Sequence, residues 1–169
     1  MTAEQARDKI IFALDVDTLA AIDQWAERLA NRVGMFKVGK ELFTSVGPAA
    51  VEAVKRHGGE VFLDLKYHDI PNTVAQAMLA AGRLGVKLAN LHALGGPEMM
   101  EKAATEVRKQ FAEAERPRLL AVTILTSSTQ ETLQAVGIEH PVEQMVVRLA
   151  KLAQQCGMDG VVASPLEIA

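Results

Sequence analysis

Asp64, Lys66 and Asp69 fall close together in Glu60-Val-Phe-Leu-Asp-Leu-Lys-Tyr-His-Asp-Ile-Pro-Asn-Thr73, where an apolar run passes into a helical pattern. Residues two apart in a strand share a face, so Asp64 and Lys66 are expected to point the same way with Phe62 behind them. Burying opposite charges side by side offers little net stability, which argues for chemistry rather than architecture. Asp15 ends an earlier apolar run, and Lys37 sits in Met35-Phe-Lys-Val-Gly-Lys40 with apolar neighbours on both sides. A lysine in such a strand is rarely left without a carboxylate partner. Together these residues can form an alternating network in which carboxylates keep each lysine protonated and ammoniums keep each carboxylate ionised.

The other polar residues carry weaker signals. His92 reads either as a general base or, with slightly more weight, as a hydrogen-bonded core histidine. His68 reads as a packing residue and Lys40 as a solvated helix-start residue. The four histidines share no helical spacing and Cys156 is the only cysteine, so no zinc site is expected. Thr126, Ser127, Ser128 and Thr129 precede a helical pattern, where hydroxyls cap. Gly95-Gly96 reads as a tight turn, and Met99-Met100 as core.

These residues need a scaffold that gathers strand ends. Apolar runs at 10–14, 34–38, 61–65, 86–92, 119–125 and 160–163 alternate with helical patterns at 18–31, 41–56, 72–84, 98–113, 129–136 and 142–155. Pro71 and Pro141 suit first helical turns, and Gly34, Gly58, Gly85 and Gly157 suit left-handed caps. The rhythm predicts βαβ units and a parallel sheet in one domain over residues 1–169. Polar residues at the ends of successive strands favour a (β/α)8 TIM barrel, an α/β fold whose site lies at the C-terminal face. An open doubly wound sheet would focus its ligand at one switch point, and Asp15-Val-Asp-Thr18 has no glycine-rich fingerprint. About six βα units are present, and a further helix would begin at Ile168-Ala169. Six units leave apolar edges open, so strands seven and eight are expected outside these residues.

The bulk properties set the setting. The net charge of −3 gives no basic footprint for nucleic acid, while 49% hydrophobic residues support a real core. A single cysteine, no apolar leader and no run long enough for a bilayer lead to the expectation of a soluble cytoplasmic protein without a membrane partner.

Asp64-Leu-Lys66-Tyr-His-Asp69-Ile-Pro71, with Phe36-Lys-Val-Gly39 and Ala13-Leu-Asp15 upstream, resembles the bacterial type of the orotidine 5′-phosphate decarboxylase family. The likeness continues through Leu91-His-Ala93, Ala121-Val-Thr-Ile-Leu-Thr-Ser127 and Asp159-Gly-Val-Val162. Asp-x-Lys-x-x-Asp is shared with 3-keto-gulonate phosphate decarboxylase and hexulose phosphate synthase, whereas Asp-Ile-Pro is more specific to the orotidylate enzymes. The resemblance implies a homodimer of barrels converting orotidine 5′-phosphate to UMP and carbon dioxide without metal or organic cofactor. It makes Lys66 the proton donor, places Asp64 against the departing carboxylate, and has Lys37 order the network and touch the ribose. It assigns Asp15 to a ribose hydroxyl, Thr126 to the pyrimidine, and Asp69, Ile70 and Thr73 to the partner's site. It also places the phosphate-binding loops and their arginine after strands seven and eight. Two other readings are a magnesium-dependent lyase acting on a 3-keto sugar phosphate, and a non-catalytic nucleotide-binding barrel.

Overall fold

A computed structural model describes residues 1–167; the helix start read at Ile168-Ala169 lies outside the described residues. The six strands are β1 (Ile11–Ala13), β2 (Met35–Gly39), β3 (Val61–Tyr67), β4 (Leu88–His92), β5 (Arg118–Val122) and β6 (Gly160–Val162). All neighbours are parallel, and their order in the sheet is their order in the chain. Right-handed crossovers in an order that never reverses lay every helix that joins two strands on the same side of the sheet. A doubly wound sheet reverses direction at a switch point and covers both faces. The strand order is therefore that of the expected TIM-barrel-like α/β fold, a curled parallel sheet with alternating helices.

The helices are α1 (Ala3–Arg7), α2 (Leu19–Leu29), α3 (Lys40–Val46), α4 (Ala49–Arg56), α5 (Pro71–Arg83), α6 (Pro97–Gln110), α7 (Gln130–Ala135) and α8 (Val142–Gln155). Helix α1 has no counterpart in the sequence reading; Thr2 and Gln5 form a capping box that starts it. The single helix expected over 41–56 is two. Proline disfavours a helical conformation in the residue before it, and Gly47, ahead of Pro48, turns to φ +65° and ends α3. Gly34 is not a left-handed cap either. It is needed for space, since a Cβ there would lie 2.5 Å from the Asp8 carbonyl oxygen.

The core lies between sheet and helices. Phe36, Val38, Leu63, Leu91 and Leu119 leave the strands on that side and are fully or almost fully buried with Ile22, Val51, Met78 and Met99. Each large apolar side chain buried there contributes about 1.5–3 kcal/mol. Alternation sends the intervening residues to the opposite face. Lys37 is in register with Phe62, Gly39 with Asp64, and Asn90 with Leu120. The polar groups of β2, β3 and β4 thus collect on the face the helices leave free.

Candidate active site

The site begins with an irregularity in β3. Leu63 pairs with Ala89 and Tyr67 with Leu91, so Asp64, Leu65 and Lys66 stand opposite Asn90 alone. Such a bulge bends a strand and re-aims its side chains. Lys66 takes φ +50° and is the one non-glycine residue with positive φ among the described residues. That conformation costs roughly 1–2 kcal/mol for a residue with a Cβ, and strain of this kind clusters at functional positions. The simple alternation expected of Asp64 and Lys66 fails here in the backbone, yet their side chains still meet.

Asp64 is the hub, and it is 8% exposed. Its Oδ1 accepts hydrogen bonds from Lys66 Nζ and from Asn90 Nδ2, both at 2.6 Å. Its Oδ2 faces Lys37 Nζ at 3.8 Å, and Lys37 Nζ is also 3.8 Å from Asp15 Oδ1. Asp15 reaches in from the loop after β1 and is mostly solvated, so the network runs from a buried carboxylate to an open rim. Leu14, Asp15, Lys37, Gly39, Lys40, Asp64 and Lys66 are among the residues lining a cavity of about 200 Å³ over this network.

Burial alone would raise the Asp64 carboxyl pKa. Hydrogen bonds from Lys66 and Asn90, with the charges of Lys66 and Lys37, outweigh that penalty and hold it below the usual carboxylate range. Asp64 is therefore ionised at neutral pH. His92 lies outside the network, with its ring tilted against His68 at 5.6 Å between centroids. Burial, followed by the charges of His68, Lys40 and Lys66, lowers its pKa and keeps it neutral. His92 is half-buried and makes no side-chain hydrogen bond among the described residues, so the hydrogen-bonded core role expected of it is not seen.

The four residues Asp15, Lys37, Asp64 and Lys66 come together as the strand ends suggest. Asp69, Ile70 and Thr73 do not join them. They sit at the head of α5, where Asp69 Oδ1 accepts from the Ile70 amide at 2.6 Å, Ile70 is 66% exposed, and Thr73 faces solvent. Asp69 forms no salt bridge among the described residues. Thr126 lies in an exposed turn beyond the end of β5. Its neighbour Thr129 caps α7, accepting from the Thr132 amide. Asn90, fully buried in the middle of β4, is the site residue that sequence reasoning missed. The available signal was a carboxamide between Leu88-Ala89 and Leu91, two residues before His92. Among the described residues, no three His, Cys, Asp or Glu side chains gather as a metal-binding group.

A curled parallel sheet carrying a lysine–carboxylate network on its helix-free face defines a barrel-type α/β enzyme. The family profile described as orotidine 5′-phosphate decarboxylase / HUMPS family matches residues 8–169, and the chain belongs to that family. It is 83% identical to the orotidine 5′-phosphate decarboxylase of Trichlorobacter lovleyi over 168 residues, covering 99% of this chain and 70% of that protein. The enzyme of the same name from Geobacter sulfurreducens is 66% identical with the same coverage. Among solved structures, orotidine 5′-phosphate decarboxylase from Lactobacillus acidophilus superposes with a TM-score of 0.84 at 38% identity, over 94% of this chain and 72% of that one. An uncharacterized conserved protein from Geobacillus kaustophilus gives 0.83 at 42% identity, over 90% and 72%.

Proposed function

We propose that the chain decarboxylates orotidine 5′-phosphate to UMP, a step of pyrimidine biosynthesis, with Lys66 as the proton donor. The observation that carries this reading is the Lys66 ammonium held 2.6 Å from a buried, ionised Asp64. In the reaction the bond between C6 and the carboxylate carbon breaks, carbon dioxide leaves, and the electron pair remains on C6. Lys66 Nζ gives its proton to that carbon, the N–H bond breaks as the C–H bond forms, and the lysine is recharged from solvent. A fixed ammonium beside the developing charge stabilises it without solvent reorganisation. Asp64 holds the ammonium and lies against the departing carboxylate. Lys37 joins Asp64 to Asp15 and faces the ribose, whose hydroxyl Asp15 binds, and Thr126 meets the pyrimidine.

The exposed placement of Asp69, Ile70 and Thr73 supports their service in the site of a second copy of this chain, in a homodimer. We place the reaction in the cytoplasm, in keeping with a single cysteine and with no helix among the described residues long and apolar enough to cross a membrane.

The test is UMP formation from orotidine 5′-phosphate by the intact protein in excess chelator, where full activity is expected. Strict metal dependence would favour a sugar-phosphate lyase instead. Mixing Lys66→Ala and Asp69→Ala variants should restore part of the activity in mixed dimers, because one of their two sites carries neither change. No recovery in verified mixed dimers removes the cross-subunit assignment.

A further inference from the structure

The bulge in β3 leaves two unsatisfied needs opposite one residue. Lys66, turned to φ +50°, presents a backbone N–H with no strand partner, and Asp64 presents a carboxylate oxygen. Asn90 meets both: its Oδ1 accepts the Lys66 amide at 2.8 Å, and its Nδ2 donates to Asp64 Oδ1 at 2.6 Å. The carboxamide orientation follows from chemistry, because a backbone N–H can only donate and an ionised carboxylate can only accept. We infer that Asn90 is a positioning residue for the reacting lysine, one planar carboxamide fixing both the backbone that carries Lys66 and the carboxylate that Lys66 touches. The inference rests on the reaction assigned to Lys66 above.

No other side chain of this size supplies the same pair. Aspartate keeps the acceptor and loses the donor, leucine keeps the volume and loses both, and serine reaches only one partner. The role also accounts for the strained Lys66 backbone. A left-handed lysine at the end of a strand relaxes unless neighbouring groups over-determine it, and the Asn90 acceptor does so from a fully buried position. The donor to Asp64 adds to the ammoniums in holding that carboxylate ionised.

Asn90→Asp separates positioning from packing, because the two side chains share one shape. Near neutral pH it sets two carboxylates against each other, and one of them takes up a proton with a raised pKa. The protonated form can again donate across the pair. For the intact protein, the expected result is a kcat roughly 10- to 100-fold below wild type at pH 8, the range of one hydrogen bond to a charged group. KM should change little, and the ratio of variant to wild-type kcat should climb as pH falls. A ratio that stays near one at every pH overturns the inference, as does a constant deficit.

Hydrogen exchange at the Lys66 amide supplies a readout independent of turnover. Asn90→Leu should accelerate it about 10-fold or more, and unchanged protection overturns the positioning role. If wild type fails to convert orotidine 5′-phosphate while this exchange effect is present, the contact with Lys66 stands and the reaction assignment falls.

Discussion

At the scale of residues, Asp15, Lys37, Asp64 and Lys66 make one connected charge network at the strand ends. Asp64, Lys66, Lys37 and Asp15 stood out because a charged side chain in or at the end of an apolar run needs a reason, and the structure supplies one in their mutual contacts. Asn90 escaped because its value depends on a bulge in the neighbouring strand, which periodicity does not reveal. Replacing Lys66 by Ala should lower kcat/KM by about 10⁴-fold or more, the combined scale of lost acid catalysis and lost charge stabilisation. Because Lys66 is strained and partly exposed, circular dichroism and thermal melting of the variant should still report a folded protein. Loss of the fold together with the activity would instead make Lys66 a structural ion-pair member. The Asp64 pKa also fixes a pH dependence. A carboxyl with a folded pKa below its unfolded value adds stability that is fully present above the unfolded value, near 4, and lost as pH falls through the folded one. Chemical denaturation of wild type and Asp64→Asn should therefore differ in stability at pH 7 and converge at the acid end. A difference that persists below both values would point to packing rather than charge.

At the scale of elements, the strand–helix rhythm was readable because each apolar run is short and bounded, but the joints were not. The break between α3 and α4 and the crowding at Gly34 depend on neighbours distant in sequence or on a single Gly-Pro step within a continuous helical pattern. One such joint anchors β6. Asp159 accepts two hydrogen bonds from Arg116 at 3.0 Å and one from the Leu119 amide at 2.8 Å, tying the residue before β6 to the start of β5. Burial would raise the Asp159 pKa, but the Arg116 and Leu119 hydrogen bonds, with the Arg116 and Arg108 charges, bring it below the ordinary range. This clasp lies at the strand starts, away from the network at the strand ends. Asp159→Asn should therefore cost about 1–3 kcal/mol in urea unfolding while leaving kcat within about twofold. A large fall in kcat without a fall in stability would show that the clasp communicates with the site. Gly34→Ala should be worse for folding, since the added Cβ meets backbone rather than a yielding side chain.

For the molecule as a whole, the sheet carries its helices on one side and its polar site on the other, and this sets what a polypeptide of residues 1–169 can do alone. Strands β1 and β6 each have one partner, and no pairing joins them among the described residues. Both edges are apolar where they meet solvent, with Ile11 43% and Val161 40% exposed. Unpaired parallel edges of this character template further strand addition. The relatives at 83% and 66% identity are longer, since this chain spans 70% of each. In a (β/α)8 barrel, two more strands would lie between those edges, and the loops after strands seven and eight commonly supply the phosphate-binding site. Binding energy from a remote phosphate is what an enzyme can use to hold and distort the reacting end of its substrate. Expressed alone, residues 1–169 should therefore self-associate as concentration rises and should bind UMP far more weakly than a closed barrel, which takes roughly 200 residues or more. Light scattering across a concentration series, with UMP titration calorimetry on the same samples, checks both statements. A monodisperse, cooperatively melting species that binds UMP tightly would show that six strands and their network hold the nucleotide without a closed barrel.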